Sequence, residues 1–348
     1  MFFRDGTIPL TDLTLSDLGW SEHFARQLEE GDAPARVAEI HRTLLVALTP
    51  DGPVKLLAPS GAGSFAVGDW VGMQGGAARV RLAPRSQIAR KAAGHTVSRQ
   101  LVAANVDTLG IVTSCNDDFN PARLERYVAL AMAGDCLPLV IVTKSDMVDD
   151  VSPYLAQARA ISPLVVAMAL NARDLDDAAR LEPWCKPGQT LALVGSSGVG
   201  KTTLQNALTG GAEATAGIRE DDAKGRHTTT HRALRRCRAG GWLIDTPGMR
   251  ELQLTDTAEG IEELFDDVSD LVSQCRFSDC AHETEPGCAV RAAVEAGDLD
   301  PERLARWRKL EAEDRRNSET LAEGRARGRS FTRHIKSTQR GARRRKGG

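Results

Sequence analysis

The chain has 348 residues, 41% of them hydrophobic, with a formal net charge of −2. That length suits two or three domains with real cores, and the near-balanced charge excludes binding to nucleic acid through overall charge alone. Seven unevenly spaced cysteines argue against a disulfide framework. No stretch reaches the roughly 18–20 apolar residues of a membrane span, and "MFFRDGTIPL" carries no leader pattern, so a cytoplasmic chain without a membrane partner is expected.

Residues 1–35 are acidic and weakly patterned, with seven acids (Asp5, Asp12, Asp17, Glu22, Glu29, Glu30, Asp32) against Arg4 and Arg26. They read as an acidic N-terminal extension or a short helical cap. Residues 36–90 hold short strand-like runs, "RVAEIHRTLLVAL", "VKLLAP", "DWVGMQ" and "ARVRLAP", broken by Gly and Pro. This spacing predicts a small five-stranded barrel of the OB type, and an RNA-binding role is expected of it together with the basic tail. From about residue 91 to 255, strands and helices alternate: "DTLGIVTS", "PARLERYVALAMAG", "LPLVIVT", "VSPYLAQARAI", "PLVVAMA", "ARDLDDAARL", "QTLALVG", "KTTLQNALTG". Such alternation implies a parallel sheet covered on both faces. "HRALRRCR" and "GWLIDTPG" add two strands. Residues 256–320 read as polar and helical around a Cys/His cluster, and 321–348 as a basic tail with ten Lys or Arg against Glu323.

The sharpest motif is "LALVGSSGVGKTTL". Gly195, Ser196, Ser197, Gly198, Val199, Gly200, Lys201, Thr202 and Thr203 form a phosphate-binding loop between an apolar strand and a helix. Backbone N–H groups there cradle phosphates, Lys201 reaches the β- and γ-phosphates, and Thr202 ligates Mg²⁺. In "WLIDTPGMRE", Asp245 ends a strand where it can hold Mg²⁺ through water, and Gly248 can offer its N–H to the γ-phosphate. "GRHTTTH" lies between them, where a threonine completes the Mg²⁺ shell. Thr228, Thr229 and Thr230 all qualify, and Thr229 is taken as the candidate.

"VIVTKSD" is a guanine-reading strand end. Asp146 accepts hydrogen bonds from guanine N1–H and the exocyclic amine, Lys144 lies along the ring, and Thr143 and Ser145 complete the motif. Thr143 stands where Asn is usual, which leaves the tethering of the phosphate loop open. "VAMALNA" is placed where backbone meets the base. In most GTPases the guanine motif follows the phosphate loop, whereas here it precedes it. The order base loop, phosphate loop, switch loop, Mg²⁺ loop describes a circularly permuted domain, since all four motifs stay at strand C-termini.

Cys275, Cys280, His282 and Cys288 give C-x4-C-x-H-x5-C, four soft ligands suited to one closed, structural Zn²⁺ site. Phe331 and His334 lie among the basic residues of the tail, a composition that fits RNA backbone contact. The glutamine that often follows the D-x-x-G glycine is Met249 here, so another group must orient the attacking water, and His227 is the candidate.

Taken in order, "VGDWV", "AANVD", "TKSD", "GSSGVGKTT", "GRHTTT", "DTPGMRE" and the Cys/His cluster closely resemble the ribosome small-subunit-dependent GTPase family, RsgA (YjeQ), over about residues 36–300. The resemblance implies a multidomain fold: an N-terminal OB-type β-barrel, a central α/β circularly permuted P-loop GTPase domain and a C-terminal, mostly helical zinc-binding domain. It implies a GTPase acting in late maturation of the small ribosomal subunit, stimulated by that subunit, with Zn²⁺, Mg²⁺ and guanine nucleotide. The subunit and its rRNA are the expected partners of a monomer. A nucleotide-gated RNA-binding protein with incidental hydrolysis is the alternative. An ATPase or small-molecule kinase is disfavoured by Asp146.

Overall fold

The computed structural model describes residues 13–91, 99–211, 233–245 and 257–318. The first five strands are β1 (Ala33–Ile40), β2 (Leu44–Thr49), β3 (Gly52–Leu57), β4 (Trp70–Gln74) and β5 (Ala77–Arg81). They pair in the order β1-β2-β3-β5-β4, and β4 returns to β1 from Ala33↔Met73 to Arg36↔Trp70, closing a five-stranded barrel. Ala35, Val37, Leu45, Ala47, Leu56, Phe65, Val71 and Ala78 fill its interior. The run "RVAEIHRTLLVAL" is two strands rather than one, because the polar His41–Arg42–Thr43 turn folds it back on itself. Strand β1 starts at Ala33, inside the segment read as an extension. Strand β6 (Gln87–Lys91) lies outside the barrel and pairs with β7 (Arg99–Ala104) as a separate ribbon.

The acidic segment before β1 carries the short helix α1 (Glu22–Ala25) and is integral to the fold. Leu13, Leu18 and Phe24 are buried, and the Trp20 ring lies edge-on to Trp70 at 4.7 Å between centroids. Trp242 Nε1 donates to the Asp17 carbonyl at 2.7 Å.

The second sheet unit comprises β8 (Thr108–Ser114), β9 (Leu137–Thr143), β10 (Val166–Ala169), β11 (Thr190–Val194), β12 (Ala233–Arg236) and β13 (Trp242–Asp245). Its order is β10-β9-β8-β11-β13-β12, parallel throughout except for antiparallel β12. Alternate residues serve two cores, as a strand period of two requires. Ile111, Val140, Val142, Val194 and Ile244 face helices α2 (Pro121–Ala133) and α3 (Ser152–Arg159). Val112, Leu139, Ile141, Leu193 and Leu243 face Leu204 and Leu208 of α5 (Lys201–Thr209) and Ala178 of α4 (Leu175–Ala179). On the edge strand β10, Arg159 donates to the Ala167 carbonyl at 3.2 Å and Arg180 to that of Ala169 at 3.0 Å.

Barrel and sheet are joined twice. Glu39 of β1 pairs with Ala233 of β12, making one sheet of eleven strands. Arg36, 1% exposed, donates to Leu18 O (2.7 Å), Gly68 O (3.4 Å), Asn105 O (3.2 Å) and Thr190 Oγ1 (2.8 Å). One guanidinium thus ties together the acidic segment, the barrel and the first residue of β11.

The C-terminal helices are α6 (Ala258–Leu264), α7 (Asp266–Ser273), α8 (Ala289–Ala296) and α9 (Pro301–Ser318). Helix α6 lies so close to α2 that a Cβ on Gly260 would meet Ala129 O at 2.1 Å. Arg306 of α9 donates to buried Glu125 of α2 at 2.8 Å, and Arg126 to Glu313 at 2.6 Å. Among the described residues no helix is long and apolar enough to cross a membrane.

Candidate functional site

The central strand β11 runs straight into the phosphate loop, and α5 leaves it at Lys201. Gly195 has φ +139°, and a Cβ there would lie 2.1 Å from Val112 O, so only glycine lets the loop pass over β8. Val199 is buried beneath the loop beside Leu204 and anchors it to the core. Lys201 Nζ folds back onto the carbonyls of Gly195 (2.7 Å) and Ser196. The ammonium therefore sits inside the curl of the loop, while Ser197 and Gly198 are exposed at its crest.

Two strands away, β9 ends at Thr143. Its buried hydroxyl reaches over the end of β8 and lies in hydrogen-bond contact with Thr113 O (3.0 Å) and Val199 O. A hydroxyl carries one proton, so these carbonyls share it. The shorter threonine thus links the two loops directly, which sequence reasoning left open because Thr is not Asn. Lys144 follows in the left-handed region (φ +60°) and turns the chain so that Asp146 stands exposed. The Cys115 thiol is pushed up by burial and then by the nearby Asp146 carboxylate. Ser145 N–H points to Leu170 O at 3.4 Å, bringing the turn after β10 alongside. Val166–Ala169 is strand, so the turn beside Asp146 spans 170–174 and Met168 is not part of it.

Asp245 closes β13 next to β11, one step beyond the Ala192↔Ile244 pair. Its side chain, and His227, Thr228, Thr229, Thr230, Gly248 and Met249, lie outside the described residues, as does the basic tail.

In the helical region Cys275, Cys280, His282 and Cys288 come together, their ligand atoms all within 4.8 Å of one another. Cys275 Sγ lies 3.9 Å from Cys288 Sγ, and His282 Nδ1 is 3.5 Å from both. A tetrahedron with zinc–sulfur bonds of about 2.3 Å and zinc–nitrogen bonds of about 2.0 Å has edges of roughly 3.8 and 3.5 Å, so the donor set fits that ion. The residues around it hold the ligands in place. His282 takes φ +60°, its carbonyl accepts from Arg308 at 2.6 Å, and its ring packs on Trp307. Cys288 caps α8, accepting from Arg291 N–H. Glu285 accepts from the N–H groups of Ala281, Glu283 and Thr284. Backbone N–H groups, its own first, hold that carboxyl down at about 2.

Comparison with known proteins settles the lineage. The model of the RsgA GTPase family matches residues 82–255. A Mesorhizobium japonicum protein named small ribosomal subunit biogenesis GTPase RsgA is 51% identical over 88% of this chain and 91% of its own. The chain belongs to the RsgA GTPase family. A second RsgA relative, from Vibrio parahaemolyticus, is 47% identical over 96% of both chains. Among solved structures, YjeQ from Thermotoga maritima (TM-score 0.58, 22% identity) covers 80% of this chain and 96% of its own. YloQ, described as a circularly permuted GTPase (TM-score 0.57, 23% identity), covers 86% and 99%. The order of the sequence motifs and the strand order thus belong to one permuted RsgA fold, with barrel, GTPase sheet and Cys₃His region as expected.

Proposed function

We propose that the chain is a GTPase of small ribosomal subunit biogenesis, converting GTP to GDP and phosphate when the subunit is bound. The single observation that supports it best is the Thr143 bridge. A base-facing turn at one strand end and a phosphate loop at another are linked by a side chain, inside an RsgA family chain. Such spacing suits a nucleoside triphosphate with its base at 143–146 and its phosphates at 195–203.

In this reading Asp146 selects guanine, Lys144 covers the ring, and Lys201 leaves the Gly195 and Ser196 carbonyls for the phosphates. The N–H groups of the loop and the start of α5 supply the anion field. Thr202, Asp245 and Thr229 would hold Mg²⁺, which supplies charge neutralisation at the β- and γ-phosphates. Gly248 N–H would face the γ-phosphate. Hydrolysis attaches water oxygen to the γ-phosphorus and breaks its bond to the β–γ bridging oxygen. Met249 has no donor, so His227 is proposed to orient that water when the subunit is bound. Cys275, Cys280, His282 and Cys288 would hold one structural zinc.

The domains are proposed as an acidic segment up to β1, a barrel from β1 to β5 (33–81), a GTPase unit running to about 255, a zinc region 256–320 and a basic tail 321–348. Barrel, zinc region and tail are proposed to meet rRNA, with the protein acting as a cytoplasmic monomer. The test is GTP turnover alone, with small subunits and with large subunits. Slow basal turnover, strong stimulation by the small subunit alone and loss of that stimulation in His227→Ala are expected. Equal turnover in all three conditions would defeat the proposal.

A further inference from the structure

Two cysteines outside the Cys₃His cluster meet at the strand ends opposite the phosphate loop. Cys185 lies in the segment that leads into β11, and Cys237 directly follows β12. Both are 0% exposed and belong to the core that holds Leu204 and Leu243. Gly241, in the turn between β12 and β13, joins the two segments. Its N–H donates to Cys185 O at 2.8 Å, and its carbonyl accepts from Cys237 N–H at 2.8 Å. A Cβ on Gly241 would lie 2.3 Å from Cys185 O, so only glycine allows that approach. The side chains meet as well. The Cys237 thiol is hydrogen-bonded to Cys185 Sγ, and the Cys185 thiol donates to Leu181 O at 3.4 Å. The bond from Cys237 holds the Cys185 thiol below its ordinary range, while the same bond, with burial, pushes Cys237 above it. An open cleft of about 590 Å³ lies beside the pair, lined by Pro183 and Lys186 on either side of Cys185 in the chain and by Ala239 two residues beyond Cys237.

We propose that Cys185 and Cys237 form a peroxide-sensitive dithiol site, closing to a disulfide that staples the entry of β11 to the β12–β13 turn. Hydrogen peroxide is the oxidant, small and uncharged enough to pass from the cleft to a buried pair. The thiolate is the reactive form, so the better-supported Cys185 attacks first and Cys237 resolves. The Cys185 sulfur bonds to one peroxide oxygen as the O–O bond breaks, and the departing hydroxide takes the thiol proton and leaves as water. The Cys237 sulfur then bonds to the Cys185 sulfenic sulfur, and its proton leaves with the hydroxyl as a second water. Two thiols lose two electrons and one peroxide gains them. The closed loop 185–237 contains β11, the phosphate loop and α5, so the link restricts the unfolded chain. It also braces β12, whose Ala233 pairs with Glu39 of the barrel.

The experiment treats the full folded chain with hydrogen peroxide, then denatures, alkylates and maps it by peptide mass spectrometry, with thermal unfolding before and after. A Cys185–Cys237 cross-link, two hydrogens lighter than the separate peptides, is expected. The melting temperature should rise by about 5 °C and return on reduction with dithiothreitol. In Cys237→Ser the hydroxyl still donates to Cys185, so a sulfenic acid should accumulate on Cys185 and be trapped by dimedone. In Cys185→Ser, Cys237 should react at least about tenfold more slowly than Cys185 does in Cys237→Ser. Should either variant fail to fold, the cross-link map and melting shift of the parent still decide. Both cysteines remaining alkylatable while Cys275, Cys280 and Cys288 oxidise, or a link that forms only in urea, would overturn the proposal. Equal reactivity in the two variants would overturn the order of attack.

Discussion

Thr143 shows how little a side chain needs in order to join two loops. Its hydroxyl serves two buried carbonyls, so Thr143→Val, equal in shape, leaves both short of a donor at about 1–3 kcal/mol. The expected result is GTP affinity lowered about tenfold with a modest fall in melting temperature, read by nucleotide titration and thermal unfolding. Unchanged affinity would mean that the bridge is only structural. Asp146→Asn tests the base side, because its amide can donate to the carbonyl that xanthine carries where guanine has an amine. GTP binding should weaken by at least about tenfold and xanthosine triphosphate binding should strengthen. The motif residues were legible in the sequence because each is a residue type tied to one chemistry at one spacing. Thr143's reach was not, because a hydroxyl's partners depend on which loop passes overhead.

At the scale of elements, the fit between α2 and the C-terminal helices sets how the zinc region sits on the GTPase sheet. Burial raises the Glu125 carboxyl above the ordinary glutamate range, and Arg306 works against that rise. A raised folded value means that the stability contributed is fully present below the ordinary pKa of about 4.3 and is lost as pH climbs through the folded value. Glu125→Gln should therefore show a flatter loss of stability with rising pH than the parent, measured by urea unfolding across that range. An identical slope would place the titration elsewhere. For the ligand cluster, Cys280→Ser should lower zinc content well below one per chain and make residues 257–318 protease-sensitive while basal hydrolysis largely survives, because the phosphate loop lies on another element. Abolished basal hydrolysis would count against a purely structural ion. The cluster's spacing revealed its ligands, but nothing local revealed the seat on α2. Gly260 and Glu125 matter only because they meet residues more than a hundred positions away, and no short-range pattern encodes such a meeting.

Across the whole molecule Arg36 is the residue on which barrel, acidic segment and GTPase sheet converge. Burial lowers its pKa to about 10, with Asp107 opposing, so it stays charged at neutral pH. Arg36→Met would leave the carbonyls of Leu18 and Asn105 and the Thr190 hydroxyl short of their donor. A loss on the order of 3 kcal/mol or more is expected from denaturant titration, with faster amide exchange in both β1 and β11. Loss confined to the barrel would show that the two units are independent. The alternating pattern from residue 100 onward announced the parallel sheet, and short Gly-punctuated runs announced the barrel. Their fusion through one Glu39↔Ala233 pair, and the packing of a segment that reads as an acidic extension or a short helical cap, depend on three-dimensional neighbours such as Trp70 and Trp242.

The arginines that donate to β10 bear on how the molecule behaves in a crowd of its own copies. A long sheet ordinarily ends in bare backbone that a neighbouring chain can extend, strand upon strand, toward aggregation. Here one end of the eleven strands curls into the barrel and pairs with itself. At the other end, the guanidiniums of Arg159 and Arg180 already occupy the carbonyls of Ala167 and Ala169. An incoming strand would have to displace two charged donors to find acceptors there, so this end of the sheet does not offer itself as a template to another copy.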